Sequence, residues 1–303
     1  MKFGQFDSIC AENALIVCPL LGQGNGLGLQ PTCYARNLEV VKTGVLIFQP
    51  AALFIRIVTI FMCGIMIFHI SSKYTAVGRK EMVTFFYLFL LDTILSMLLV
   101  SNIIPMAWQG YHYFVAIDFG LVVACFWCLM LNGFISFQFM EDGTRLSVWG
   151  VRLSSLVIGL FSAFVAIATF ESVAGFHRGN PVLLWVMMYV FTGVCLVVYI
   201  VSQILLVFKT MRDRWPLGDI TFGVVFFAMG QIITIGISNT ICRGSKHYLD
   251  GTFFGACSVL LAVMFVYKYW DSITKEDLEF SVGGKQNVWE HQQPQHGYSH
   301  GGY

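Results

Sequence analysis

No residue pattern in this chain of 303 residues forms a recognisable catalytic or metal-binding motif. The histidines are scattered, and no H-E-x-x-H zinc motif, phosphate-binding glycine loop or G-x-S-x-G nucleophile elbow occurs. Cys125 and Cys128 form a C-x-x-C, but its redox version belongs near a βαβ unit, whereas these two cysteines lie in an apolar run. We therefore expect no enzymatic activity, no bound metal and no cofactor.

Three ionisable residues, Arg56, Asp92 and Asp118, lie inside long apolar runs. Charged groups deep in a membrane are costly, so they normally face a bundle interior or find a partner. At about 1.5 Å per residue, Arg56 and Asp92 reach roughly 15 Å from opposite sides, near the midplane, and Asp118 about 8 Å from one face. We expect Arg56 and Asp92 to pair for structural reasons. The alternative is an ion or proton pathway.

The composition requires lipid as a solvent. Hydrophobic residues make up 57% and charged residues 12% of the chain, against about 45–50% and 25% in soluble domains. The net charge is only +1, and the sequence has no basic patch that would favour binding to nucleic acid. Seven runs are long and apolar enough to cross a bilayer: 45–70, 82–104, 113–139, 153–170, 182–208, 220–241 and 252–270.

These runs predict an all-α, polytopic membrane protein with seven transmembrane helices. Eight Lys and Arg residues lie in the loops after runs one, three and five, against three in the loops after runs two, four and six. Because cytoplasmic loops retain positive charge, the N-terminus is predicted to be lumenal and the C-terminus cytosolic. We divide the chain into a lumenal segment (1–44), a helix bundle (45–270) and a cytosolic tail (271–303) that is disordered after about residue 281.

Four cysteines, Cys10, Cys18, Cys33 and Cys242, all fall on the predicted lumenal side. That compartment permits disulfides. Four cysteines allow three pairings, and the sequence does not choose among them. A bridge to Cys242 would tie the N-terminal segment to the loop before the seventh helix. The alternative is four free thiols.

Several polar and aromatic segments at the borders of the spans together resemble the fungal chitin synthase export chaperone family. The resemblance runs in the same order from the N-terminal cysteines to Phe280. The segments are CYAR with Tyr34 and Arg36, KYTAVGRKE with Lys73, Tyr74 and Arg79, YFVAI from Tyr113, EDGT with Glu141 and Asp142, KHYLDG with Lys246, His247, Tyr248 and Asp250, and YKYWDSITKEDLEF with Trp270 and Asp271.

The resemblance implies a non-enzymatic helper in the endoplasmic reticulum membrane. Members of this family bind a chitin synthase directly and support its folding and export, and so support cell-wall chitin synthesis. The helper itself makes no polymer. Some members accompany the synthase towards the plasma membrane. Neither the client synthase nor the oligomeric state follows from the sequence.

Two further segments are candidates for contacts with partners. Gly251 and Gly255 form a G-x-x-x-G that could pack against a client helix or inside the chain's own bundle. Glu276, Asp277 and Glu279 form an acidic segment beyond the last span. A vesicle coat could read this segment as an export signal, or it is a solvated cap on a helix extension.

Two other functional classes share a seven-helix topology. A receptor is one alternative, but the chain lacks an Asp-Arg-Tyr after span three and an Asn-Pro-x-x-Tyr in span seven. A small-solute transporter is the other, and it rests only on Arg56, Asp92 and Asp118. Helix count by itself does not determine function.

Overall fold

Seven helices dominate the computed structural model, which describes residues 3–22, 28–40, 45–74, 76, 78–137, 144–173, 175–210 and 214–290, with described side chains ending at Thr274. A short helix, α1 (Asp7–Glu12), precedes them. The long helices are α2 (Pro50–Ser72), α3 (Arg79–Val100), α4 (Tyr111–Ile135), α5 (Arg145–Glu171), α6 (Val182–Lys209), α7 (Trp215–Gly244) and α8 (Gly251–Glu290). In the described part of the chain, seven helices are long and apolar enough to cross a membrane, which confirms the predicted number.

Most helix ends differ from the sequence prediction by a few residues, and two of the shifts have a clear local cause. The first span begins at Pro50 instead of residue 45, because Val45–Ile47 forms a strand, β2, paired antiparallel with β1 (Leu38–Val40). Proline favours the first helical turn, where its missing N–H is not needed. The fourth span begins eight residues early, at Arg145, where the Thr144 side chain accepts a hydrogen bond from Ser147 N at 3.3 Å. This cap stabilises a polar first turn that hydropathy alone does not reveal.

The N-terminal segment packs onto one end of the bundle, which we call the covered end. Phe6 and Leu21 are each 1% exposed and join a core with Tyr111, Phe170 and Leu184 of the long helices. Gly22 N donates to Arg178 O at 3.2 Å, linking the segment to the loop between α5 and α6. The segment is thus part of the folded core.

Two disulfides hold the covered end. Cys10 bonds to Cys18 within the N-terminal segment, and Cys33 bonds to Cys242 at the end of α7. All four predicted cysteines are therefore paired, and the second bridge joins the N-terminal segment to the α7–α8 connection.

The long helices form two groups that differ in how tightly they pack. α4 lies at the centre of the larger group, against α3, α5 and α6. Its contact with α5 is close because both helices present small residues: a Cβ on Gly120 would lie 2.6 Å from the Gly159 carbonyl oxygen. α7 and α8 form a hairpin that contacts the rest mainly through α2, and α6 and α7 touch only sparsely.

The two disulfides should contribute unequally to stability. Cys33–Cys242 spans 209 residues and Cys10–Cys18 spans 8. Chain-entropy arguments give upper values of about 5 kcal/mol and about 2.5 kcal/mol. We expect Cys33→Ser to lower the thermal unfolding midpoint of the purified protein more than Cys10→Ser does. Cys257→Ala, which removes a free thiol, is the control. A larger loss in Cys10→Ser contradicts the prediction.

Candidate functional site

Two of the family-like segments meet at the covered end. The Cys33–Cys242 bond brings CYAR next to KHYLDG. Arg36 N donates to His247 O at 2.6 Å, and His247 Nδ1 lies 3.0 Å from Tyr34 O. Segments more than 200 residues apart in sequence thus form one joint.

The same joint sets the start of α8. Asp250 is 5% exposed, and its Oδ1 accepts from Phe253 N at 3.2 Å and from Thr252 Oγ1 at 2.6 Å, which caps the helix. Gly251 N donates to Ser238 Oγ of α7 at 3.0 Å. Tyr248 is 60% exposed and Lys246 is also exposed, so these two motif residues remain available to a partner.

At the opposite end, two other family-like segments meet. Lys73, just after α2, forms an ion pair with Asp271 of α8, and its Nζ lies 5.8 Å from the centre of the Trp270 ring. Arg79 lies over the Tyr74 ring at 5.2 Å. KYTAVGRKE and YKYWDSITKEDLEF are therefore joined, and this contact ties the first long helix to the last.

Glu81 is a site residue that the sequence analysis did not single out. It is fully buried, and its Oε1 accepts a hydrogen bond from Ser147 Oγ of α5 at 2.9 Å. Arg152 Nε of α5 donates to Thr84 Oγ1 of α3 at 3.3 Å nearby. The sequence does contain a signal for this residue: Glu81 is a carboxylate at the start of an apolar run, where an ionisable group needs a partner.

The intramembrane charges converge on one central cavity of about 610 Å³. Arg56, Asp92 and Asp118 all line it. Their distances along the helix axes from the covered end are about 9, 12 and 10 Å, so they lie at one level. The predicted depths of Arg56 and Asp118 differ from this because α2 begins at Pro50 and α4 at Tyr111.

Arg56 and Asp92 are predicted from the sequence to pair directly. In the structure, which describes both side chains, they instead line the same cavity without direct contact. Among the side chains that the structure describes, no Arg56 nitrogen lies within 4.0 Å of an Asp92 oxygen. Asp118 instead accepts a hydrogen bond from Ser96 Oγ at 2.7 Å. The three charges interact across a space and not through an ion pair.

The predicted G-x-x-x-G surface faces the chain's own α7. A Cβ on Gly251 would lie 2.5 Å from Ser238 Cβ, and one on Gly255 would lie 2.2 Å from Thr234 Oγ1. Of the two predicted roles for this motif, the structure therefore shows packing inside the chain's own bundle. A client helix could reach these glycines only by displacing α7.

The structure does not describe the side chains of two sets of predicted residues. Glu141 and Asp142 of EDGT lie outside the described residues. Glu276, Asp277 and Glu279 lie on α8 beyond the last described side chain. Their assignment as an export signal stays a prediction, as does disorder of the tail after about residue 281.

The Lys73–Asp271 pair should show measurable energetic coupling. Its side chains are 28% and 21% exposed, and partly buried charged hydrogen bonds couple by about 1–2 kcal/mol. A double-mutant cycle with Lys73→Gln and Asp271→Asn, measured by thermal unfolding, tests this. The control cycle uses Lys268 and Asp219, which also form an ion pair, but Lys268 is 65% exposed and its coupling should stay below about 0.5 kcal/mol. Equal coupling in both cycles contradicts the prediction.

Comparison with known proteins covers nearly the whole chain. The model of the chitin synthase export chaperone family matches residues 2–284. Proteins named chitin synthase export chaperone are 51% identical over 293 residues in Coccidioides immitis and 49% identical over 294 residues in Aspergillus fumigatus, each covering 96% of this chain and 88% of the relative. One from Neurospora crassa is 50% identical over 293 residues, covering 95% of this chain and 81% of the relative. No solved structure matches the chain.

The family match includes both ends of the bundle. Residues 2–284 contain the disulfide-linked joint at the covered end and the Lys73–Asp271 pair at the opposite end. The relatives are matched over most of their own length, so the likeness is not limited to a shared helix pattern. This chain belongs to the chitin synthase export chaperone family.

Proposed function

We propose that this chain is a non-enzymatic chaperone of the endoplasmic reticulum membrane. It binds a chitin synthase, supports its folding and enables its export, and so supports cell-wall chitin synthesis. The observation that carries the proposal is the family match over residues 2–284, with identities of about 50% to proteins that bear this name.

The contacts made by the family-like segments support a structural role for them. At the covered end they join the N-terminal segment to α7 and α8, and at the opposite end they join α2 to α8. A docking protein needs a bundle of defined shape, because association between helices in lipid depends on close packing and interhelical hydrogen bonds. The outer face of α5, with Leu156, Leu160 and Phe164 each more than half exposed, is one surface open to a client span or to membrane lipid.

The compartment and orientation are part of the proposal. Disulfides form in oxidising compartments, and both bridges lie at the covered end. The loops at the opposite end carry the excess of Lys and Arg. Both observations favour a lumenal N-terminus and a cytosolic C-terminus. Travel with the client to the plasma membrane, and contact with a vesicle coat, are further proposals based on the export role.

Family membership does not favour the receptor or the transporter. A transport path needs polar lining through the membrane, whereas most of the central cavity is lined by apolar side chains.

If the gene is deleted, we expect a chitin synthase to remain in the endoplasmic reticulum and cell-wall chitin to fall, because the unassembled client would not be exported. Fluorescence microscopy of a tagged synthase and a chitin stain measure the two effects. An unrelated multi-span cargo should travel normally, and the reintroduced wild-type gene should restore delivery. Normal synthase delivery in the deletion strain contradicts the proposal.

The acidic segment should be needed for export if a coat reads it. We expect the triple change Glu276→Ala, Asp277→Ala and Glu279→Ala to hold both the chaperone and its client in the endoplasmic reticulum while leaving their co-purification intact. Glu290→Ala, which removes an acidic group from the same helix, is the matched control. Protease added outside intact microsomes should remove a C-terminal tag, since the signal must be cytosolic. Unchanged export of both proteins removes the idea.

A further inference from the structure

The central cavity is closed at the covered end by the N-terminal segment. Residues 13–17 line the cavity and lie within the loop that the Cys10–Cys18 bond closes. Below this roof, Arg56, Asp92 and Asp118 form a charged level, and much of the remaining lining consists of apolar side chains of α4, α6, α7 and α8. The lining also includes Asp219 of α7, which forms an ion pair with Lys268. The cavity therefore has a charged level beneath the roof and a long, mostly apolar remainder.

Two residues that line this cavity each carry a buried polar atom with no hydrogen-bond partner among the described residues. Asn13 is 2% exposed, and its Nδ2 donates no hydrogen bond to any described residue, although its Oδ1 lies 3.5 Å from Ser238 Oγ. Asp92 Oδ1 is likewise buried and accepts no hydrogen bond within the described ranges. Buried donors and acceptors are nearly always satisfied, so a polar group bound in the cavity would supply what these two atoms lack. One needs an acceptor, and the other needs a donor.

The helices beside the cavity are irregular where they line it. α6 contains a π-helical stretch at Val186–Phe191 and α7 another at Ile233–Ile237. Met188 and Tyr189 of the first stretch and Thr234 and Ile235 of the second line the cavity. Such stretches are frequent at functional sites. Because α6 and α7 touch only sparsely, the bilayer is the natural route of entry between them.

The volume of the cavity limits the size of the molecule that it can hold. A volume of about 610 Å³ falls within the range of about 300–1,000 Å³ typical of small-molecule sites. A membrane-spanning helix about 10 Å wide and 30 Å long occupies roughly 2,400 Å³. A client helix therefore cannot fit inside, whereas a membrane lipid or part of one can.

We propose that this cavity binds a phospholipid whose head group carries a protonated primary amine. The two carboxyl groups and one guanidinium suit a zwitterion: the ammonium group donates to Asp92, and the phosphate accepts from Arg56 and from Asn13 Nδ2. The acyl chains follow the apolar lining and leave between α6 and α7. A sterol hydroxyl offers no charge, an anionic lipid without an amine, such as phosphatidylglycerol, offers only negative charge, and a quaternary ammonium has no N–H to donate to Asp92.

Lipid-dependent thermal unfolding of the full purified chain tests this proposal. Phosphatidylethanolamine added to the detergent micelles should raise the unfolding midpoint by on the order of 5 °C. Phosphatidylcholine, phosphatidylglycerol and a sterol should each raise it by less than half as much. Asp92→Asn should lose most of the phosphatidylethanolamine shift. Glu171→Gln, a carboxylate outside the cavity, should keep it.

A second variant tests the site if Asp92→Asn fails to fold. Gly193 lines the cavity, and a Cβ there would meet no atom within 4 Å. We expect Gly193→Leu to occupy part of the cavity and to abolish the shift. Gly150→Leu, at an exposed helical glycine that is equally free of contacts, should retain it. Equal shifts with all four lipids, a larger shift with the sterol, or an unchanged shift in the Gly193→Leu variant would overturn the proposal. Its failure leaves the chaperone function untouched, because client delivery is measured separately.

Discussion

The bond between Cys33 and Cys242 is the constraint on which the covered end depends. It joins positions 209 residues apart and holds the N-terminal segment against the α7–α8 connection. The hydrogen bonds from Arg36 and around His247 form only because these backbones are adjacent. The second bridge, Cys10–Cys18, then shapes the loop that roofs the central cavity. Both bridges require oxidising conditions to form.

The bundle combines a tightly packed part with a looser one. Small residues such as Gly120 and Gly159 bring α4 and α5 into close contact, which in lipid is a main source of helix association. α7 and α8 are instead held at their two ends, by the disulfide and by the Lys73–Asp271 pair, with a cavity between them and the other helices. The two fixed ends hold α7 and α8 in place on either side of the cavity, which would let the proposed lipid enter without separating the helix ends.

Family membership and the chemistry of the cavity concern two different surfaces of the protein, one outside the bundle and one inside it. The family match assigns the chain to the chitin synthase export chaperones, and the outer helix faces expose large apolar side chains. The cavity is too small for such a span, so an occupant of the cavity would act on the bundle from within. A lipid there would stabilise the position of α7 relative to α6, since both helices line the space.

The seven spans, the four cysteines and the three intramembrane charges could be predicted from sequence, because hydrophobic runs of bilayer length and ionisable residues within them are local properties. The family-like segments could also be read from residue types and order. Four features could not be predicted: the disulfide pairing, the shared level of Arg56, Asp92 and Asp118, the buried Glu81, and Asn13 Nδ2, which has no partner among the described residues. These depend on which helix ends meet in space and where each helix begins, and only tertiary packing decides that.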